Sequence, residues 1–169
     1  MEVVERYKKL AFLNTTPIKG ENSSYSWAIV GQGIEELEVT YNVQKKTTKF
    51  IINKNATTRV TGYQPSIDAE QIAYFGDDCF NYVDDIRYNM KTGDDATTQI
   101  LLVDKYKEIT EGKFRAQVFD CTISINSDGG PADDDSKVNY TIDINGDPIN
   151  GTVTVNSEGV PVFTAAAQG

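Results

Sequence analysis

The run Thr57–Met90, TTRVTGYQPSIDAEQIAYFGDDCFNYVDDIRYNM, constrains the fold more than any other part of the chain. Thr57 to Tyr63 is rich in Thr, Val and Tyr, residue types that suit a pleated, half-buried surface. Gly62 and Pro65 interrupt it, a second extended run begins at Ser66, and Gly76 ends that run. Asp77 or Asp78 is placed to cap a helix, its carboxylate accepting from amides of the first turn. Phe80, Val83, Ile86 and Met90 then form an apolar stripe, which predicts a helix over about residues 78–90. The rest reads as strand and loop.

Strand signals recur along the chain. Tyr25 to Val30 is one strand, ended by Gly31 and Gly33. Leu37, Val39, Tyr41 and Val43 alternate with Glu38, Thr40 and Asn42. Gln99 to Val103 is a buried strand that follows the turn cluster KTGDDA. Phe114, Ala116 and Val118 occupy one parity and Phe119, Cys121, Ile123 and Ile125 the other. Such a switch marks a β-bulge or a corner where a strand changes sheet. Val138, Tyr140, Ile142 and Ile144 alternate with Lys137, Asn139, Thr141 and Asp143; Val153 and Val155 alternate with Thr152 and Thr154. An Asn145-Gly146 hairpin turn separates those two runs. Seven or eight short strands and one helix predict a mainly β fold, a two-sheet β-sandwich or partly closed barrel with one flanking helix. Val3 to Leu13 fits either an amphipathic helix or a strand, and is read as an extended arm.

With 169 residues the chain is read as one domain, able to bury about 70% of its unfolded surface. Residues 1–24 are its arm and linker, 25–164 the sandwich with its helix, and 165–169 a frayed tail. A net charge of −9 argues against gripping nucleic acid, which takes clustered Lys and Arg, but not against letting it slide past. With no histidine, the usual general base and the commonest zinc ligand are both missing. The paired carboxylates (Asp77-Asp78, Asp84-Asp85, Asp94-Asp95, Asp133 to Asp135) fall in turns and on the helix's exposed side, where solvated charge is the rule. DINGDPING, from Asp143, has no Glu at the twelfth position of a calcium loop. SDGGPADDDS is a flexible acidic loop, at most a weak cation site. Cys79 and Cys121 read as small buried hydrophobes, and the sequons at Asn22 and Asn139 matter only in a secreted protein. No catalytic residue, cofactor or metal site is expected, and the chain is read as not an enzyme. No apolar run reaches membrane-spanning length, and MEVVERYKKL has no signal-peptide core, so no membrane partner is expected.

The order of strand, VTGYQPSI (Val60 to Ile67), GDDCFNYVDDI (Gly76 to Ile86) and TGDDATTQILLVD, with RYKKLAFLN before and a Gly-rich strand pair after, resembles the major tail tube proteins of long-tailed phages of Gram-positive hosts. The likeness covers nearly the whole chain and thins after Asn126. It implies a structural virion protein, made in the host cytoplasm, whose hexameric rings stack into a tube that carries the genome. It also implies contact with tape measure, tail terminator and distal tail proteins, and transient passage of double-stranded DNA. By position, Lys45, Lys46, Lys49, Phe50, Asn53 and Lys54 fall in an inter-ring loop that docks on an acidic surface of the next ring, and Tyr7, Leu10 and Phe12 in an arm reaching a neighbour. From the residues alone, Lys45 to Ala56 is either a long ragged hairpin or a docking projection. The outward strand positions Glu38, Thr40, Asn42, Asp120, Thr122, Ser124, Asn139, Thr141 and Asp143 are acidic and hydroxyl-rich; on the likeness they line the lumen, and otherwise they are a solvated outer face. Two readings of other classes compete: a β-sandwich module that binds carbohydrate or a cell surface through exposed Trp or Tyr, and a small glycosidase.

Overall fold

The computed structural model describes residues 1–18 and 24–167. The strands are β1 (Lys9–Asn14), β2 (Trp27–Ile29), β3 (Val39–Thr40), β4 (Gln44–Thr48), β5 (Thr57–Gly62), β6 (Ser66–Ile72), β7 (Thr97–Thr110), β8 (Lys113–Gly129), β9 (Lys137–Val155) and β10 (Pro161–Ala165); the helix α1 (Asp78–Tyr88) follows β6. Among the described residues the fold is mainly β, two sheets with one helix and no closed barrel, in keeping with a β-sandwich carrying one helix. Eight strands form one sheet in the order β2-β1-β7-β8-β9-β6-β3, with β10 also on β9, while β4 and β5 pair with each other in the second. β6 holds Lys137 to Asp143 of β9 and β10 holds Gly151 to Val155, so the two share one edge of β9 at opposite ends.

The expected short strands are replaced by three long ones, of 14, 17 and 19 residues. β9 runs straight through Asn145-Gly146, where a hairpin turn was expected. Its pairing with β8 steps from Asp120↔Asn145 to Val118↔Ile149, and Gly146, at φ +68°, absorbs the irregularity without ending the strand. At that place β8 changes the face it buries. Phe119, Cys121 and Ile123 pack with Leu13, Ile100, Tyr140 and Ile142 beneath α1. Ala116 and Val118 pack on the other side with Phe12, Leu101, Val103 and Val153. The parity switch read from the sequence is therefore a strand serving two cores in turn.

β1 corrects the expectation of an extended arm. Lys9–Asn14 lies between β2 and β7, with Leu13 fully buried. Ala11 and Leu13 enter one core while Phe12 enters the other, so the strand is apolar on both faces and shows no alternation to read. Met1 to Tyr7 stays exposed. The expected strand from Leu37 to Val43 shrinks to Val39–Thr40, ended where Asn42 takes φ +45°. Thr57–Gly62 is extended as expected but exposed nearly throughout, because among the described residues it pairs only with β4.

Asp77 caps α1, its carboxylate accepting from the Phe80 amide at 2.8 Å. The buried stripe is Cys79, Val83 and Ile86, with Phe80 half-buried; Met90 lies past the last turn, at φ +48° and exposed. The cap is tied to the sheet by Gln71, fully buried on β6. Its amide donates to Asp77 Oδ2 at 3.2 Å and to the Gln32 carbonyl at 3.0 Å, and its Oε1 accepts from the Tyr140 hydroxyl at 2.9 Å. Part of the expected linker, with the Asn22 sequon, and the last two residues of the expected tail lie outside the described residues. Pro161 to Ala165 before them are paired in β10, so the tail's first residue is strand.

Candidate functional site

The strand residues read as outward-pointing are brought together on one face. Antiparallel register lines up Thr97, Thr122, Asp143, Ser66 and Thr40 across β7, β8, β9, β6 and β3. Beside that row lie Gln99, Asp120 and Asn145 on one flank and Ser124, Thr141 and Asp68 on the other, with Asn139 opposite Glu70 beyond. Of the nine positions named from sequence, Asp120, Thr122, Ser124, Asn139, Thr141 and Asp143 sit here on β8 and β9, and Thr40 on β3. Glu38 borders the face in a groove shared with Asp68 and Glu70, and Asn42 reaches its edge by donating to Ser66 Oγ at 3.2 Å. Ser66, Asp68 and Glu70 were missed. The alternation S-I-D-A-E-Q-I, with Ile67, Ala69 and Gln71 buried, carried the signal.

Hydrogen bonds hold this face in a fixed arrangement. Asn126 donates to Thr141 Oγ1 at 3.0 Å, and that hydroxyl donates to Asp68 Oδ1 at 2.8 Å. Asn145 donates to Thr122 at 2.9 Å, Asn139 to Ser127 at 2.9 Å, and Gln99 to Asp120 at 3.2 Å. Lys137 stands at the margin, donating to Glu70 at 3.0 Å, and this pairing raises its pKa. Chemically the face offers carboxylates, hydroxyls and amides. It can hold water and counter-cations, and it has little with which to grip a phosphate.

The second feature is the β4–β5 hairpin. It projects as a separate two-stranded sheet with every residue of β4 exposed, and its loop carries Phe50, Ile51 and Ile52 at 64%, 104% and 87% exposure. Lys45 to Ala56 belongs to a hairpin with an eight-residue loop; Lys45 and Lys46 lie on β4, and Lys49, Phe50, Asn53 and Lys54 in the loop. The residues expected in an inter-subunit arm are divided: Tyr7 is exposed, Leu10 is half-buried, and Phe12, 6% exposed, is part of the second core. That burial is the two-sided packing of β1, and it corrects the placement of Phe12 in an arm.

Burial pushes the thiols of Cys79 and Cys121 up to about 12, so both are protonated at neutral pH and poorly nucleophilic. Asp128, near the end of β8, lies 3.3 Å from Arg87, and Asp134, in the acidic connection that follows, lies 3.7 Å from Lys137. Among the described residues no three Asp, Glu or Cys side chains converge as a metal-binding group, and no helix is long and apolar enough to cross a membrane.

The class these features define is a mainly β protein with one ordered acidic sheet face and one projecting cationic hairpin. No family model matches the chain, and no curated protein matches it.

Proposed function

We propose that the chain is the subunit of a phage tail tube, assembling as hexameric rings that stack around a channel for double-stranded DNA, with the acidic sheet face lining that channel. The observation that carries this reading is the row of Thr97, Thr122, Asp143, Ser66 and Thr40 with its flanking Asp120 and Asp68, a hydrogen-bonded polar surface that crosses five strands. DNA carries one negative charge per about 1.7 Å of axis, and a basic wall would hold it through counterion release. An acidic, hydroxyl-rich wall keeps water and ions between itself and the duplex. At physiological salt the repulsion is screened within about 8 Å, so entry stays cheap while sticking is prevented. Assembly is further supported by backbone left open for pairing. Among the described residues β1 follows β7 only as far as Asp104, and β3 covers only Ile67 and Ser66 of β6.

Sedimentation velocity and electron microscopy of the purified protein test the assembly; rings or tubes are expected, and a monomer at every concentration refutes it. Replacing Asp120 and Asp143 together by Lys is expected to leave ring formation intact and to impair genome passage in the particle.

A second reading, a carbohydrate-binding module, is favoured by one observation. Tyr25 and Trp27 stack with ring centroids 4.7 Å apart and planes at 13°, and Tyr25 lies close enough to Asp120 for that carboxylate to help raise its pKa, after burial. Quenching of Trp27 fluorescence by sugars, without any self-assembly, would select this reading instead.

A further inference from the structure

We infer that the groove between the large sheet and the segment Leu37 to Tyr41 is a binding site for an acidic saccharide. The inference goes beyond the assembly reading and does not depend on it. The groove lies on the sheet face that carries α1, turned away from the acidic row. On β8, Arg115 and Gln117 share the parity of Phe119, which packs beneath α1, whereas Asp120 shares that of Ala116 and Val118. Beyond the part under the helix this face opens into a cavity of about 860 Å³, a size within the about 300–1,000 Å³ of ordinary ligand clefts.

Its walls suit a ring with an apolar face and a hydroxylated rim. Tyr41 and Tyr106 both line the cavity, at 55% and 38% exposure. Tyr106 is fixed in place: Arg115 Nη2 donates to its hydroxyl at 2.9 Å, and Lys9 Nζ and Arg115 Cζ each lie 5.8 Å from its ring centre. A ring held beforehand loses little freedom when the C–H face of a sugar packs on it. The polar groups are only half used. Arg115 Nε and Nη2 both donate to Asp104 Oδ2, at 2.9 Å and 2.6 Å, and among the described residues no donor takes Oδ1. Gln117 donates to Asn150 Oδ1 at 2.8 Å, which leaves Gln117 Oε1 as an acceptor and the Asn150 amide as a donor. Donors and acceptors side by side on planar, oriented groups match vicinal hydroxyls, each of which donates and accepts.

Charge sets the kind of sugar. On a chain of net charge −9 this groove gathers Arg6, Lys9 and Arg115 against Asp104 and Glu38. Arg115 is paired with Asp104. Arg6 donates to the Lys9 carbonyl and, at 3.0 Å, to the Leu37 carbonyl, so it ties the chain before β1 to the segment before β3. Among the described residues neither Arg6 nor Lys9 is in an ion pair. Cations without a carboxylate, beside two tyrosines and unused amide atoms, favour a sugar carrying a carboxylate or a sulfate over a neutral one. A nucleic acid fits less well, because its phosphates recur along the strand and the cations of this groove do not. The stacked Tyr25 and Trp27 form a different surface, since Trp27 packs with the second core on the other face of the sheet.

A glycan array carrying neutral, uronic-acid and sulfated oligosaccharides, probed with the purified chain, tests this first. Titration calorimetry with the best-bound glycan then compares wild type with Lys9→Gln, Lys9→Arg and Asn150→Ala. Binding is expected on the acidic glycans and is expected to weaken from low to physiological salt. Lys9→Gln and Asn150→Ala should each weaken it roughly ten-fold, and Lys9→Arg should retain it. Both positions are exposed, so urea midpoints close to wild type should accompany these losses. Trp27 fluorescence should not change on binding. An array with no bound glycan overturns the inference, and equal affinity for neutral and acidic glycans overturns the role of the cations. Wild-type affinity in both Lys9→Gln and Asn150→Ala overturns the groove as the site. Quenching of Trp27 by the bound glycan moves the sugar to the Tyr25–Trp27 surface and overturns the inference in favour of the second reading.

Discussion

Replacing Gln71 by Leu tests how the helix is held on the sheet. Gln71 is fully buried, and so is its partner Tyr140. The substitution removes three hydrogen bonds, to the Gln32 carbonyl, to Asp77 Oδ2 and from the Tyr140 hydroxyl. The losses are unequal. Gln32 is exposed and its carbonyl can turn to water, and Asp77 keeps the Phe80 amide. Among the described residues the Tyr140 hydroxyl keeps only Cys79 Sγ, at 3.9 Å, a weak partner. A stranded buried hydroxyl costs about 1–3 kcal/mol, and loss of the bonds around the cap raises the total to about 2–4 kcal/mol. Tyr140→Phe alone strands the Gln71 carbonyl oxygen for about 1–2 kcal/mol. With both changes no unpaired partner is left between them, so the double variant should be less destabilised than the sum by about 1 kcal/mol or more. Urea unfolding followed by far-ultraviolet circular dichroism measures all four corners of the cycle. Additivity within about 0.3 kcal/mol would refute the argument that these two side chains form one unit.

Gly151 sits between β8 and β10 with no room for a side chain. A Cβ there would meet the Thr164 carbonyl oxygen and lie 2.7 Å from Phe163 Cζ, so Gly151→Ala should prise β10 from the sheet at a cost of about 1–3 kcal/mol, read as a lower urea midpoint and faster proteolysis at Pro161 to Ala165. Stability should also fall with alkali. The buried thiols of Cys79 and Cys121 titrate at about 12 in the folded chain against an ordinary 9.0. Their contribution is complete below pH 9 and is lost as pH rises from 9 towards 12; the Tyr140 hydroxyl, pushed higher still by burial, adds to the loss. Cys79→Ala/Cys121→Ala should flatten melting temperature against pH over that range, and an unchanged slope would contradict it.

The helix and the polar face were legible because their signals are local. Asp77 before an apolar stripe specifies a cap, and strict alternation from Lys137 to Ile144 assigns each side chain to a face. β1 was not, since Leu10 to Leu13 is apolar at every position and alternation cannot be read from a strand buried on both sides. The run Thr57–Gly62 has the composition of a half-buried strand, yet among the described residues it pairs with β4 alone; propensity describes the strand and not what covers it. Asn145-Gly146 carries the strongest hairpin-turn signal in the chain and lies inside β9, where long pairing on both sides overrides the dipeptide. Gln71 was hidden for another reason. A polar residue at inward parity is read as an error in the pattern until its partners, Tyr140 and the helix cap, are seen.

In the proposed assembly the acidic sheet face surrounds a channel. An electron cryomicroscopy reconstruction of the assembled protein tests it most directly. Hollow stacked rings are expected, with the side chains of Asp120, Thr122, Thr141 and Asp143 lining the lumen and Glu38 at its border. Rings that carry these side chains on the outer wall, or a lumen lined by Lys and Arg, would contradict it.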